Sequence, residues 1–171
     1  MKRALPFLLV LVACGTDGPS PPAPSPKEQQ HALEEANQRA MRIEERDITG
    51  FVARHHLDTR TSGTGVRWQL LRDMPGDSAR PDDVVKVAYR MELIDGKVAY
   101  ESAPGQPESF RVEHDEVESG LHEAVQHLSP GDSAIVIIPS YRAFGLIGDQ
   151  QRVPPRSTVI YHIALIDVRS R

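Results

Sequence analysis

The chain has 171 residues, with 20 Lys and Arg against 24 Asp and Glu and a formal charge of −4. Its single cysteine, Cys14, excludes an intramolecular disulfide framework and a cysteine zinc site. The balanced charge and the 5% aromatic content argue against a nucleic-acid partner, and the length holds one ordinary domain plus extensions.

Met1-Lys2-Arg3 is a short positive start, followed by the apolar run ALPFLLVLVA over residues 4–13. A run this short cannot span a bilayer as a helix, which needs about 20 residues, but it suits the apolar region of a secretory signal. The run ends Leu11-Val12-Ala13-Cys14, which resembles the bacterial lipobox. That resemblance implies cleavage after residue 13 and a lipidated Cys14 as the new N-terminus. The alternative is a signal cut nearby with an incidental cysteine. Multiple acyl chains would anchor the protein stably in the cell envelope. Gly15, in place of aspartate, favours the outer membrane, with the domain on its periplasmic or surface side. Residues 14–26 then form a tether, since residues 15–26 hold five of the 14 prolines and no apolar payload.

From Lys27 to about Leu57 the pattern turns helical. Leu33, Ala36, Ala40 and Ile43 recur near the helical period, and Thr49-Gly50 is expected to bend or break the segment. This helical arm, residues 27–58, either packs on the neighbouring domain or serves as a homodimer arm. The first is preferred, because large apolar side chains are few. The adjacent His55 and His56 point different ways on a helix and make a poor metal site.

The globular part is expected over residues 59–171. The run Val66 to Leu71 alternates as a strand, and Met74 to Asp83, with Pro75, Gly76 and Pro81, reads as a loop. Val85, Val87, Tyr89, Met91 and Leu93 alternate with polar or small residues, the pattern of a half-buried antiparallel strand. Asp95-Gly96 marks a hairpin, with Val98 to Tyr100 as its return strand. Ser109 to Val112 forms another short strand. Leu121, Ala124, Val125 and Leu128 form the stripe of one amphipathic helix, stopped by Ser129-Pro130-Gly131. Ala134 to Ile138 and Thr158 to Val168 are apolar on both faces and so belong at the centre of a sheet. The sum is an α+β domain of five or six mostly antiparallel strands with one helix across one face.

No phosphate-binding glycine loop or nucleophile elbow is present. His31, His114, His122, His127 and His162 lack metal-ligand spacing and read as surface or structural residues. No metal site is expected.

The ordered segments Val87-Ala88-Tyr89, Asp95-Gly96, Tyr100-Glu101-Ser102, Ser109 to Val112, Val117 to Leu121, Leu128 to Asp132, Ile138 to Gly145, Val153-Pro154-Pro155 and Val159 to Leu165 carry a family resemblance. Over roughly 105 residues from Val66 the chain resembles the FKBP-type peptidyl-prolyl cis–trans isomerases. The stretch Ile138 to Gly145, with the helical arm and the lipobox, is similar to the lipoprotein members of Bacteroidetes, including the gliding-motility-associated ones. The resemblance implies a twisted antiparallel sheet wrapped around one short helix, with the pocket between them. It also implies X-Pro polypeptide clients and no cofactor.

By that resemblance, Tyr89, Tyr100, Glu101, Phe144 and Tyr161 are the candidate catalytic residues. Val117, Glu118, Leu121, Val153 and Phe110 are the candidate substrate-binding residues. The backbone N–H of Glu118 is the implied donor to the substrate. Leu121 stands where the family has a pocket-floor tryptophan, and Phe144 replaces a tyrosine whose hydroxyl donates. Glu108 falls at an aromatic wall position, Met91 replaces a frequent glycine, and Glu118 brings a charge to the rim. These departures imply weak binding of macrolide inhibitors and keep two readings open. One is an isomerase assisting the folding of exported or envelope proteins. The other is a non-catalytic chaperone or binding module on the same fold.

Overall fold

A computed structural model describes residues 25–170. The expected signal, Cys14 and nearly all of the proline-rich stretch lie outside them. The chain falls into two compact units divided between Asn37 and Gln38.

In the first unit, residues 26–37 form the beginning of α1 (Pro26–Arg54). A capping box opens the helix. The Ser25 N–H donates to the Glu28 carboxylate at 2.7 Å, and the Glu28 N–H returns to the Ser25 hydroxyl at 3.3 Å. The predicted stripe is not a buried face here, since Leu33 is 65% exposed.

The second unit begins with the rest of α1. The helix runs through Thr49-Gly50 without the expected break. A mid-helix glycine costs only about 1 kcal/mol relative to alanine, and the flanking Ile48 and Phe51 are buried against Ile137 and Ile160. Packing of that size overrides the propensity. Ile43, 44% exposed, does not take part. The helix closes where His56 turns left-handed (φ 52°) and the Leu57 N–H reaches the Val52 carbonyl at 3.0 Å.

The sheet follows: β1 (Arg60–Thr61), β2 (Arg67–Arg72), β3 (Val84–Leu93), β4 (Val98–Glu101), β5 (Glu108–Arg111), β6 (Ser133–Ile138) and β7 (Val159–Arg169). All pairings are antiparallel, in the order β1-β2-β6-β7-β3-β4. β6 and β7 are central, as their two-sided apolar pattern predicts. One face holds the main core, and Ile137 and Ile160 on the other lie under α1. The free edge of β3 is shared in series. Val84 to Val87 pair with β5, while Arg90 to Glu92 pair with β4. The two short strands thus share the edge of β3 along nearly its whole length.

α2 (Ser119–Val125) packs on the core face of the sheet and ends before the predicted Ser129-Pro130-Gly131 stop. Its close approach depends on Gly120, where a side chain would collide with Ile138 and lie 3.2 Å from the Arg142 carbonyl. Leu121, Ala124 and Val125 enter the core below it. His127 follows and stacks on Trp68 at 3.9 Å, as a structural histidine. A 3-10 turn (Ser140–Arg142) leaves β6 and begins the long connection to β7.

Candidate active site

Between these strands and α2 lies a cavity of about 420 Å³. Tyr89 from β3, Tyr100 from β4, Phe110 from β5 and Tyr161 from β7 form its walls, with Phe144 after the 3-10 turn. Alternation along β3 places Val87, Tyr89 and Met91 on one face. The rings of Tyr89 and Tyr161 sit 5.5 Å apart at 52°. Leu121 and Met91, both nearly fully buried, give an apolar base. Phe110 is braced edge-on by His122 at 5.5 Å.

His122 also holds the rim. Its Nδ1 accepts the Glu113 N–H at 2.9 Å, and its Nε2 faces the Asp115 carbonyl at 3.0 Å. Those partners require the Nε2-protonated neutral ring. They pin residues 113–115 just ahead of Val117 and Glu118.

Each wall tyrosine meets a carboxylate. The Tyr89 hydroxyl donates toward Glu108, whose two oxygens both lie at 3.3 Å. Burial and the Glu108 charge push the Tyr89 hydroxyl up to about 12. The Tyr161 hydroxyl donates to Glu118 at 2.9 Å, and burial followed by the Glu118 charge holds it protonated well above its usual range. The Tyr100 hydroxyl donates to Asp149. Although burial pushes Asp149 up, the Tyr100 hydroxyl and the N–H groups of Gln151, Val153 and Arg152 hold its carboxyl down at about 2. Its Oδ1 accepts the N–H groups of Gln151, Arg152 and Val153 at 2.9, 2.9 and 2.7 Å. Arg152 returns over the Tyr100 ring at 5.0 Å and donates to the Ala99 carbonyl at 2.9 Å.

Glu118 occupies the N-cap position of α2 yet makes no side-chain cap bond. Its carboxyl turns to Tyr161 instead. Burial raises its affinity for a proton, against the pull of its own N–H and the Tyr161 hydroxyl. A carboxyl raised on folding stabilises the fold below its unfolded value near 4.5 and loses that contribution as pH rises through the folded value. Glu118→Gln, neutral throughout, should therefore be more stable than the parent at pH 7, by about 1 kcal/mol. The advantage should shrink toward pH 4. Thermal melts across that range check it, and a gain larger at pH 4 than at pH 7 would contradict it.

Of the ten candidate site residues, eight line the cavity: Tyr89, Tyr100, Phe110, Val117, Glu118, Leu121, Phe144 and Tyr161. Glu101 does not. It is exposed at the end of β4, because the residue after Tyr100 on a strand faces the other way. Val153 does not line the cavity either. It is 2% exposed and packs in the main core, with its N–H held by Asp149. Sequence reasoning missed Val87, Ser109, Glu116 and Ala143 in the lining, and the supports Asp149, Arg152 and His122. Asp149 carried a readable sign, an Asx residue followed by polar residues in a loop.

An antiparallel sheet packed on one short helix, with an aromatic-walled cleft between them, defines an α+β protein. The model of the FKBP-type peptidyl-prolyl cis–trans isomerases matches residues 76–166, and the chain belongs to that family. It is 34% identical over 111 residues to the FKBP-type peptidyl-prolyl cis-trans isomerase FkpA of Escherichia coli, a match covering 64% of this chain and 40% of that protein. The chain thus spans about two fifths of that relative's length. It is 31% identical over 104 residues to FK506-binding protein 1 of Kluyveromyces lactis, covering 58% of this chain and 91% of that one. The crystal structure of a peptidyl-prolyl cis-trans isomerase from Pseudomonas syringae superposes with a TM-score of 0.68 at 28% identity, covering 78% of this chain and 96% of that chain.

Proposed function

We propose that this chain is a peptidyl-prolyl cis–trans isomerase that assists the folding of exported or envelope proteins from a lipid anchor at Cys14. The observation that carries the isomerase reading is the meeting of Tyr89, Tyr100, Phe144 and Tyr161 around one cavity of about 420 Å³. An X-Pro amide favours trans by only about 0.5–1 kcal/mol, yet it exchanges in tens to hundreds of seconds. The barrier, ~18–20 kcal/mol for peptide bonds generally, is the loss of double-bond character in the C–N bond. The twisted amide carries a smaller carbonyl dipole than the planar one. A dry apolar cleft therefore favours the twisted form relative to the planar form. Leu121 and Met91 seat the prolyl ring, the aromatic walls exclude water, and the Glu118 N–H holds a flanking carbonyl. The chemistry calls for no cofactor.

A protease-coupled assay on X-Pro peptides tests this. Tyr100→Ala with Phe144→Ala should reduce kcat/KM by about 100-fold, because two of the walls are gone. Activity in the parent no higher than in that double variant would sink the reading. The anchor has its own test. Cys14→Ser should move the protein from the membrane to the soluble fraction, and unchanged partition would refute lipidation.

One observation favours a second reading. Glu108 and Glu118 stand in the cavity wall, and Phe144 offers no hydroxyl. A non-catalytic binding module fits those features. It would suppress aggregation of an unfolded client while isomerase activity stays at background.

A further inference from the structure

We propose that the cleft selects proline peptides with a cationic side chain beside the proline, an inference that rests on the isomerase reading above. The cavity lining includes three carboxylates, Glu108, Glu116 and Glu118, and no Lys, Arg or His among the described residues. Three arginines on segments beside the cleft are already engaged. Arg142 donates to Glu123 at 3.2 Å, Arg111 pairs with Asp82, and Arg152 lies over Tyr100. Both ring nitrogens of His122 are held by backbone partners. The partners of Glu118 and Glu108 in the cavity are the neutral hydroxyls of Tyr161 and Tyr89.

The cleft is therefore an apolar chamber whose wall charge is all of one sign. An opposite charge entering such a site is attracted more strongly than it would be in water, because the low-polarity walls screen little. Glu118 gains most, since it is half-buried and its carboxyl meets only a neutral donor. A cavity of this volume takes little beyond one prolyl residue and its neighbour. A lysine or arginine adjoining the proline thus brings its charge within reach of Glu118 or Glu108. A glutamate in the same place meets like charge and is rejected. The carboxylates act as specificity determinants, separate from the aromatic walls that shelter the twisting bond.

The test measures binding and turnover together on the full chain in detergent. Three labelled tetrapeptides differ only in the residue before proline, which is Lys, Leu or Glu. Fluorescence anisotropy reads affinity, and the protease-coupled assay reads kcat/KM. The Lys-Pro peptide should bind about tenfold more tightly than the Glu-Pro peptide. The ratio should approach one at high salt and in the double variant Glu108→Gln with Glu118→Gln. Circular dichroism confirms that this variant is folded. Equal affinities for the three peptides, or a cation preference that survives in the variant, overturn the proposal. Turnover without preference removes the specificity and leaves the isomerase reading standing. A Lys-Pro preference in binding without turnover supports the selectivity and removes the isomerase reading in favour of the binding module. Neither binding nor turnover overturns both.

Discussion

Gly148→Ala should destabilise the protein by about 3 kcal/mol and lower isomerase kcat/KM at least tenfold, through a residue that does not line the cleft. Gly148 has φ +67°, in the left-handed region that side chains adopt at a cost of about 1–2 kcal/mol. The space is also closed. A Cβ there would run into the Val153 carbonyl oxygen and lie 2.8 Å from the Pro154 carbonyl carbon. Both obstacles are backbone, so no rotamer change relieves them. The loop must open instead. The same loop presents Phe144 at one end and Asp149 and Arg152 at the other, and these two residues hold Tyr100 by its hydroxyl and its ring face. Spreading residues 148 and 153 therefore loosens two aromatic walls at once. Urea denaturation reads the stability, and the peptide assay reads the cleft. A variant with parental stability and activity would show that the loop has slack these contacts deny.

The elements of the sheet were legible because their patterns record which faces are covered. β3 alternates, and its buried positions Val85, Val87, Met91 and Leu93 face the core as the alternation requires. β6 and β7 read as central because both of their faces are apolar. What covers the second face was not legible. Ile137 and Ile160 meet Ile48 and Phe51 of α1, more than eighty residues away in the chain. The helix itself misled for a related reason. Leu33 and Ile43 fit a helical period as well as Ile48 and Phe51 do, but periodicity defines a stripe without saying what lies opposite. Only the turns that meet the sheet are buried.

The cleft divides along the same line. Tyr89, Tyr100, Phe144 and Tyr161 could be placed from the resemblance because each sits in or beside an ordered segment whose register is set by strand pairing. Glu101 could not, because one step along a strand reverses the face. Val153 could not, because its direction depends on how Asp149 folds the loop around it. The carboxylate on Tyr100 belongs to Asp149, 49 residues further along. Contacts of that kind leave no periodic trace.

Glu44→Ala should cost about 3 kcal/mol in urea denaturation, the second large effect, and it acts through a carboxylate far from the cleft in sequence. Glu44 projects from α1 onto the end of β6. Its Oε1 accepts the Ser140 N–H and the Thr158 hydroxyl, both at 2.6 Å, and its Oε2 accepts the Ser140 hydroxyl at 2.9 Å. Ser140 and Thr158 are 6% and 4% exposed, so the lost acceptor leaves buried donors behind. Leaving buried donors without partners costs about 1–3 kcal/mol each, and the loss is greater where the acceptor was charged. Glu44→Gln separates charge from shape, since its amide oxygen can still accept and its loss should be smaller. The consequence reaches the cleft through Ser140. The Ser140 carbonyl receives the N–H groups of Ala143 and Gly145 at 3.0 and 2.8 Å, the two residues that flank Phe144. Releasing Ser140 from Glu44 thus frees the turn that aims the Phe144 ring. Glu44→Ala should raise KM for X-Pro peptides, with partial recovery in Glu44→Gln. Equal loss of stability in both variants would assign the effect to the ionic charge alone, and no loss in either would show that α1 does not brace the 3-10 turn.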